Sequence, residues 1–182
     1  TCHYNAHLIG VEPTFTAFTC FDTNATTKAI TGNDQVFIQG QSRLGIKIAK
    51  ENKAEAKKYA SMSKYLASAF GVSATKGFSD TADVQLDLGV VNANTNQVVS
   101  VSALDSRDFA TVMRKNITVI PYSAPTIVLT GGRVNGFDRE TKVKISGAFS
   151  LITIGNAQKN IINSKTGVQF RIKPSNSDWQ AW

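Results

Sequence analysis

The chain has 182 residues, a formal net charge of +7 and 42% hydrophobic residues. That apolar share supports packed cores and argues against general disorder. The length suffices for one domain and part of another. No apolar stretch approaches the ~18 residues of a spanning helix, so no membrane partner is expected.

Residues Cys2, Tyr4, Ala6 and Leu8 alternate as in a strand, and the segment lacks the basic start and apolar centre of a signal peptide. Residues 1–12 therefore read as the end strand of a preceding module or as a linker. His3 and His7 are the two histidines of the chain. With Cys2 and Cys20 they suggest zinc only weakly, because the close-spaced ligand pairs of specific zinc motifs are missing. A Cys2–Cys20 bridge is open to the chain but not required, and two half-buried thiols are the preferred reading.

Pro13-Thr14-Phe15 opens one run of alternating strands and Pro125-Thr126-Ile127 opens another, 112 positions later. The runs Ile38-Gln39-Gly40-Gln41-Ser42-Arg43-Leu44 and Ile145-Ser146-Gly147-Ala148-Phe149-Ser150-Leu151 match in the same order, their glycines 107 positions apart. A repeat of about 110 residues has the size of an immunoglobulin-like sandwich. The expected organisation is one such module over 13–121 and a second, incomplete one over 122–182, within a longer array. Pro121-Tyr122-Ser123-Ala124-Pro125 is the linker, since its prolines hold it extended, and Gly10-Val11-Glu12-Pro13 is the corresponding joint before the first module.

Asp22-Thr23-Asn24-Ala25-Thr26 spaces oxygen ligands like the start of a calcium loop, but the glycine and distal glutamate of an EF-hand are absent. A turn bonded to its own backbone is preferred. Val36 to Ile38 and Leu44 to Ile48 read as strands. Glu51 to Ala60 is rich in helix formers without an apolar face, which predicts one or two helical turns in a long loop. Strand returns from Met62 to Phe70, with Tyr65 buried. Val84, Leu86 and Leu88 alternate with Asp83, Gln85 and Asp87, and Asn92 to Asn96 is a turn. Val99, Val101 and Ala103 share one face, and Arg114 to Ile120 is a further strand. Asp105-Ser106-Arg107 pins a turn by local hydrogen bonds. Thr130-Gly131-Gly132-Arg133 reads as a turn and not as a phosphate cradle, for no Gly-Lys-Ser/Thr follows. Short strands between polar turns define the fold class as all-β.

Charge is uneven. Residues 123–182 hold eight Lys and Arg against three acids, and Lys47 to Lys64 holds six lysines against Glu51 and Glu55. Such surfaces favour anionic partners, although solvated lysines serving solubility are the commoner case. Contact with a polyanion or glycan falls on Lys53, Lys57 and Lys58, with Trp179 and Trp182 as stacking faces if they are not simply packed. Nucleic acid is not expected, since the basic residues lack interleaved aromatics and form no recognition helix. No catalytic constellation, cofactor motif or metal set emerges, so the expectation is a non-enzymatic protein.

Several stretches resemble the immunoglobulin-like repeat modules of tail minor structural proteins in siphophages of Gram-positive bacteria. They are Pro13-Thr14-Phe15 with Asp22-Thr23-Asn24, Ile30-Thr31-Gly32-Asn33, Ile38 to Ser42, Ala103 to Arg107 and Val119 to Ile127, then Arg133 to Gly136, Gly155 to Asn160 and the closing Trp179 to Trp182. The resemblance covers nearly the whole chain with short, structural motifs. Asp108 stands where Gly usually follows Asp-Ser-Arg, and the loop from Lys50 to Met62 is unusual. The resemblance implies tandem immunoglobulin- or fibronectin-III-like sandwiches in the virion, at the tail tip or baseplate. It further implies an oligomeric setting among other tail or baseplate proteins and a part in host adhesion. Host cell-wall polysaccharide or teichoic acid is the implied external partner.

Overall fold

In a computed structural model the described residues are 10–136, 141–159 and 178. Among them the chain forms twelve strands, one α-helix and two single turns of 3-10 helix. The all-β expectation holds. The chain divides into two compact units, Thr1–Ser150 and Leu151–Trp182.

In the first unit, β1 (Thr19–Asp22), β3 (Arg43–Ile48) and β6 (Val84–Val90) make an antiparallel sheet with β3 in the middle. A five-stranded sheet has the order β2 (Val36–Ile38), β8 (Ala110–Ile120), β7 (Gln97–Asp105), β4 (Met62–Ala69), β5 (Val72–Gly77). All its pairings are antiparallel except β2 with β8. The period-two pattern explains why these segments form two sheets around one core. Leu44, Ile46 and Ile48 of β3 and Val84, Leu86 and Leu88 of β6 turn inward. They share a single hydrophobic cluster with Phe37, Tyr65, Ala67, Val99, Val101, Ala103, Ile117 and Val119 of the other sheet. Gln85 and Asp87 stay exposed. On the outward side of β3, Gly45 lies opposite Phe21 in the ladder. A side chain there would sit 2.7 Å from the Phe21 ring and 2.8 Å from the Thr23 methyl, so the strand needs glycine at this crossing.

Helix α1 (Ala25–Thr31) joins β1 to β2 and carries the chain from one sheet to the other. The turn expected at Asp22 to Thr26 is present, and it runs straight on into this helix. Asp22 accepts from the Asn24 amide, and Asn24 then caps the helix by accepting from the Thr26 amide at 3.0 Å. Gly32, left-handed at φ 61°, ends it. β-branched Thr26, Thr27, Ile30 and Thr31 give the segment little helical propensity, so its caps and its buried Thr27 and Thr31 must hold it.

Three further readings need correction, and one, on the 50–60 loop, holds. Pro13-Thr14-Phe15 opens no strand: Thr14 makes a single bridge to Glu55, and the first strand begins at Thr19. The helical turn expected in the long loop is present as the 3-10 turn Lys50–Asn52, and beyond it Ala54 is drawn inward and Glu55 pairs with Thr14. Thr130 to Arg133 is strand, not turn. It closes β9 (Thr126–Arg133), which pairs with β10 (Thr141–Ala148). The two matched glycine runs also differ locally: Gly40 sits in a turn at φ 69°, whereas Gly147 lies inside β10 opposite Ile127. The β9–β10 pair puts Ile127, Leu129, Val143 and Ile145 on one side and Thr130, Lys142, Lys144 and Ser146 on the other.

In the second unit β11 (Thr153–Ile154) and β12 (Ala157–Gln158) form a short antiparallel pair. Residues 1–9, with Cys2, His3 and His7, lie outside the described residues, as do Trp179 and Trp182.

Candidate functional site

Among the described residues, a densely bonded polar group lies at the end of β7. Asp105 has no exposed surface. Its Oδ1 accepts from the backbone amides of Arg107 at 2.8 Å and Phe109 at 3.2 Å. Its Oδ2 accepts from the Arg107 guanidinium, at 3.1 Å from Nε and 2.6 Å from the terminal nitrogen. The turn expected at Asp105-Ser106-Arg107 is therefore present, and it does more than close on itself. The same guanidinium donates to the carbonyls of Val11 at 3.0 Å and Lys57 at 3.2 Å, and it lies 5.2 Å from the centre of the Phe109 ring. That ring fills the space beside Gly10, while Thr111 donates to the carbonyl of Pro13. The Asp105–Arg107 pair thus ties the 105–109 turn to Val11 and Lys57, and the Thr111 and Ser106 bonds extend the clasp to Pro13 and Ser61.

Asp108, just after the Asp105-Ser106-Arg107 turn, adopts φ 64°. Aspartate tolerates that region better than most residues, but a Cβ still strains it. Asp108→Gly is expected to raise stability by about 0.5–1 kcal/mol, read as a higher melting temperature. A lower one would mean that the Asp108 side chain stabilises the turn more than its backbone strains it.

The clasp also frames the loop that carries the lysines singled out from sequence. Lys53 is exposed and donates to the Asp80 carbonyl at 3.2 Å. Lys57 is half-buried with its ammonium 3.6 Å from Glu55. Lys58 is exposed and, among the described residues, has no ion-pair partner. The structure puts all three on one inter-strand segment. It adds a residue that sequence reasoning missed. Tyr59 is fully exposed, at 107% of its reference surface. Lys58 and Tyr59 both have positive φ, 53° and 65°, and the Ala60 amide bonds the Lys57 carbonyl at 3.2 Å. This is a type I′ turn, which selects Asn-Gly and not Lys-Tyr, so no turn signature marked it in the sequence.

A second basic surface lies at the far end of β9–β10. Arg133, Lys142 and Lys144 line an open depression with Thr130, Gly131, Gly132, Val134, Asn135 and Val143. Among the described residues no group of three or more His, Cys, Asp or Glu side chains is placed to hold a metal ion. The Asp22 carboxylate, the start of the loop weighed for calcium, spends its oxygens on the amides of Asn24 and Arg43 and the hydroxyl of Thr27. Cys20 is a free, buried thiol, pushed up to about 11 by burial, with Lys115 opposing.

The described fold is that of a strand-built protein whose best-bonded polar groups hold turns and joints. The chain belongs to the family described as siphovirus protein of unknown function (DUF859), whose model matches residues 7–181. It is thus a phage protein, and that origin suggests a structural part in the virion. Comparison with curated proteins and with solved structures gave no match.

Proposed function

We propose that this chain is a non-enzymatic structural module of a siphovirus tail, at the tail tip or baseplate, which supports recognition of and adhesion to the host. The observation that carries the proposal is the strand order. Sheets β1-β3-β6 and β8-β7-β4-β5, with β2 parallel to β8, support reading these strands as an immunoglobulin- or fibronectin-III-like sandwich. Such modules serve as stiff spacers when joined in series. Residues 13–121 form the first sandwich in this reading and 122–182 belong to a second, with residues 1–12 as a preceding strand or linker. The clasp supports a spacer role, because Arg107 fixes the carbonyl of Val11 within the Gly10–Pro13 joint. Its partners are other tail or baseplate proteins in an oligomeric assembly, and it needs no cofactor, nucleic acid or membrane.

Gold-labelled antibody against the chain should decorate the distal end of the tail in intact virions. Label on the capsid, or no chain in purified virions, would defeat the proposal, and so would hydrolysis of peptidoglycan by the purified chain.

A second reading, direct binding of an anionic or saccharidic wall polymer, is favoured by one feature, the exposure of Lys53, Lys58 and Tyr59 on one inter-strand segment. Each exposed charge contact is weak and screened by salt, so such binding would depend on many copies per virion.

A further inference from the structure

We propose that the turn 57–60 is a contact for a sugar-bearing phosphate polymer, with Tyr59 stacking on a sugar ring and Lys58 pairing with a phosphate. The inference rests on the wall-polymer reading above and assigns its site. It starts from strain. Two consecutive non-glycine residues are held left-handed at Lys58 and Tyr59, a state that Asn-Gly would adopt with far less penalty. Strained backbone persists only where its surroundings fix it. Here they do so from both flanks. The Lys57 carbonyl accepts from Arg107 and from Ala60. Beyond the turn, the Ser61 carbonyl accepts from the Ser106 amide at 2.8 Å, and the Ser61 amide donates to the Ser106 hydroxyl at 3.3 Å.

Both flanks are therefore tied by hydrogen bonds, and the tip they present is an uncovered aromatic ring. A ring on a fixed backbone has only its own side-chain torsions to order on binding, which favours contact. The surroundings point to the ligand class. A protein interface would extend an apolar patch around the anchor, but Tyr59 is flanked in the turn by Lys57, Lys58, Ala60 and Ser61, and the 53–61 segment exposes no other large hydrophobic side chain. A lone ring bordered by an ammonium suits a sugar face beside a phosphate. Lys57 already faces Glu55, which leaves Lys58 as the cation for the phosphate.

The test displays the 182-residue chain in many copies on beads. The probes are glucosylated poly(glycerol phosphate), bare poly(glycerol phosphate) and a neutral glucan, across a salt series. The expected result is preference for the glucosylated anionic polymer, a loss of roughly tenfold or more in Tyr59→Ala, and retention in Tyr59→Trp. The paired change Lys58→Asn with Tyr59→Gly relieves the turn, so it should raise the melting temperature while abolishing binding. Binding by the parent chain that Tyr59→Ala leaves within about twofold would overturn the assignment of the turn and leave the wall-polymer reading standing elsewhere. No binding of any probe by the parent chain would overturn both.

Discussion

Asp105→Ala is expected to lower the melting temperature by about 10 °C or more, which is large for a single residue outside the apolar core. The reason lies in what the carboxylate leaves behind. Two backbone amides, those of Arg107 and Phe109, lose their acceptor, and a guanidinium with only a quarter of its side chain exposed loses its counter-charge. Unpaired buried groups of this kind are far more destabilising than the intact pair is stabilising. Asp105→Asn separates the two effects. One carbonyl oxygen can still serve both amides, but the side-chain NH2 then faces the guanidinium, donor against donor. The loss should be smaller than in Asp105→Ala and still substantial. Arg107→Lys should behave similarly, because an ammonium cannot reach the Val11 and Lys57 carbonyls and the carboxylate together as the planar fork does.

The same pair sets an acid limit. Hydrogen bonding from Arg107 holds the Asp105 carboxyl below the usual carboxylate range against the opposing effect of burial, with the Arg107 and Phe109 amides helping. Asp83 and Asp87 are lowered in the same direction, chiefly by Lys47 and Arg43. A depressed carboxyl contributes stability above its unfolded value of about 3.9, and the contribution is lost as pH falls through the folded value. The parent chain should therefore lose stability steeply below about pH 4, and Asp105→Asn should flatten that descent. A variant that melts within about 2 °C of the parent at neutral pH would mean the clasp is incidental to the fold.

The clasp also shows how far the sequence was legible. Asp105, Ser106 and Arg107 are local, and a carboxylate two residues before a guanidinium announces a turn. The reach of Arg107 to Val11 and Lys57 spans 96 and 50 positions, and no pattern within a window of residues encodes that. Strands were readable for the same reason: the alternation of Val84, Leu86 and Leu88 is local and matches the period of the backbone. Helix α1 was not, because its sequence is poor in helix formers and its stability comes from the Asn24 cap and from Asp22, which Thr27 and Arg43 also bond. Glu51 to Ala60 forms the single helical turn expected of it, at Lys50–Asn52, and no more. Its composition favours helix, but burial of Ala54, the Thr14–Glu55 bridge and the hold of Arg107 on Lys57 override propensity. The lysines of the candidate site were legible as charge. Tyr59 was not, since its exposure follows from that tertiary override.

Tyr65→Ala should be the most destabilising change in the core, by about 3–5 kcal/mol, and Tyr65→Phe should isolate a smaller part of it, about 1–3 kcal/mol. The ring is fully buried among aromatics, 5.6 Å from Phe15 and 6.0 Å from Phe78 between centres. Truncation to alanine opens a cavity at the junction of β4 with the 50–61 loop. The hydroxyl has a separate task, accepting from the Ala54 amide at 2.8 Å. Phenylalanine keeps the packing and leaves that buried amide without a partner. Burial raises the Tyr65 hydroxyl above its ordinary range, with the Ala54 amide opposing, so the folded state also loses stability as pH rises past about 10. The free thiol supplies a readout. In a Cys2→Ser background Cys20 is the sole cysteine, and its burial makes it inert while the core is closed. Labelling of Cys20 under native conditions should then accelerate in the order parent, Tyr65→Phe, Tyr65→Ala. If Tyr65→Phe labels as slowly as the parent, the Ala54 amide has found another acceptor, and the loop above it is tied to the core by packing alone.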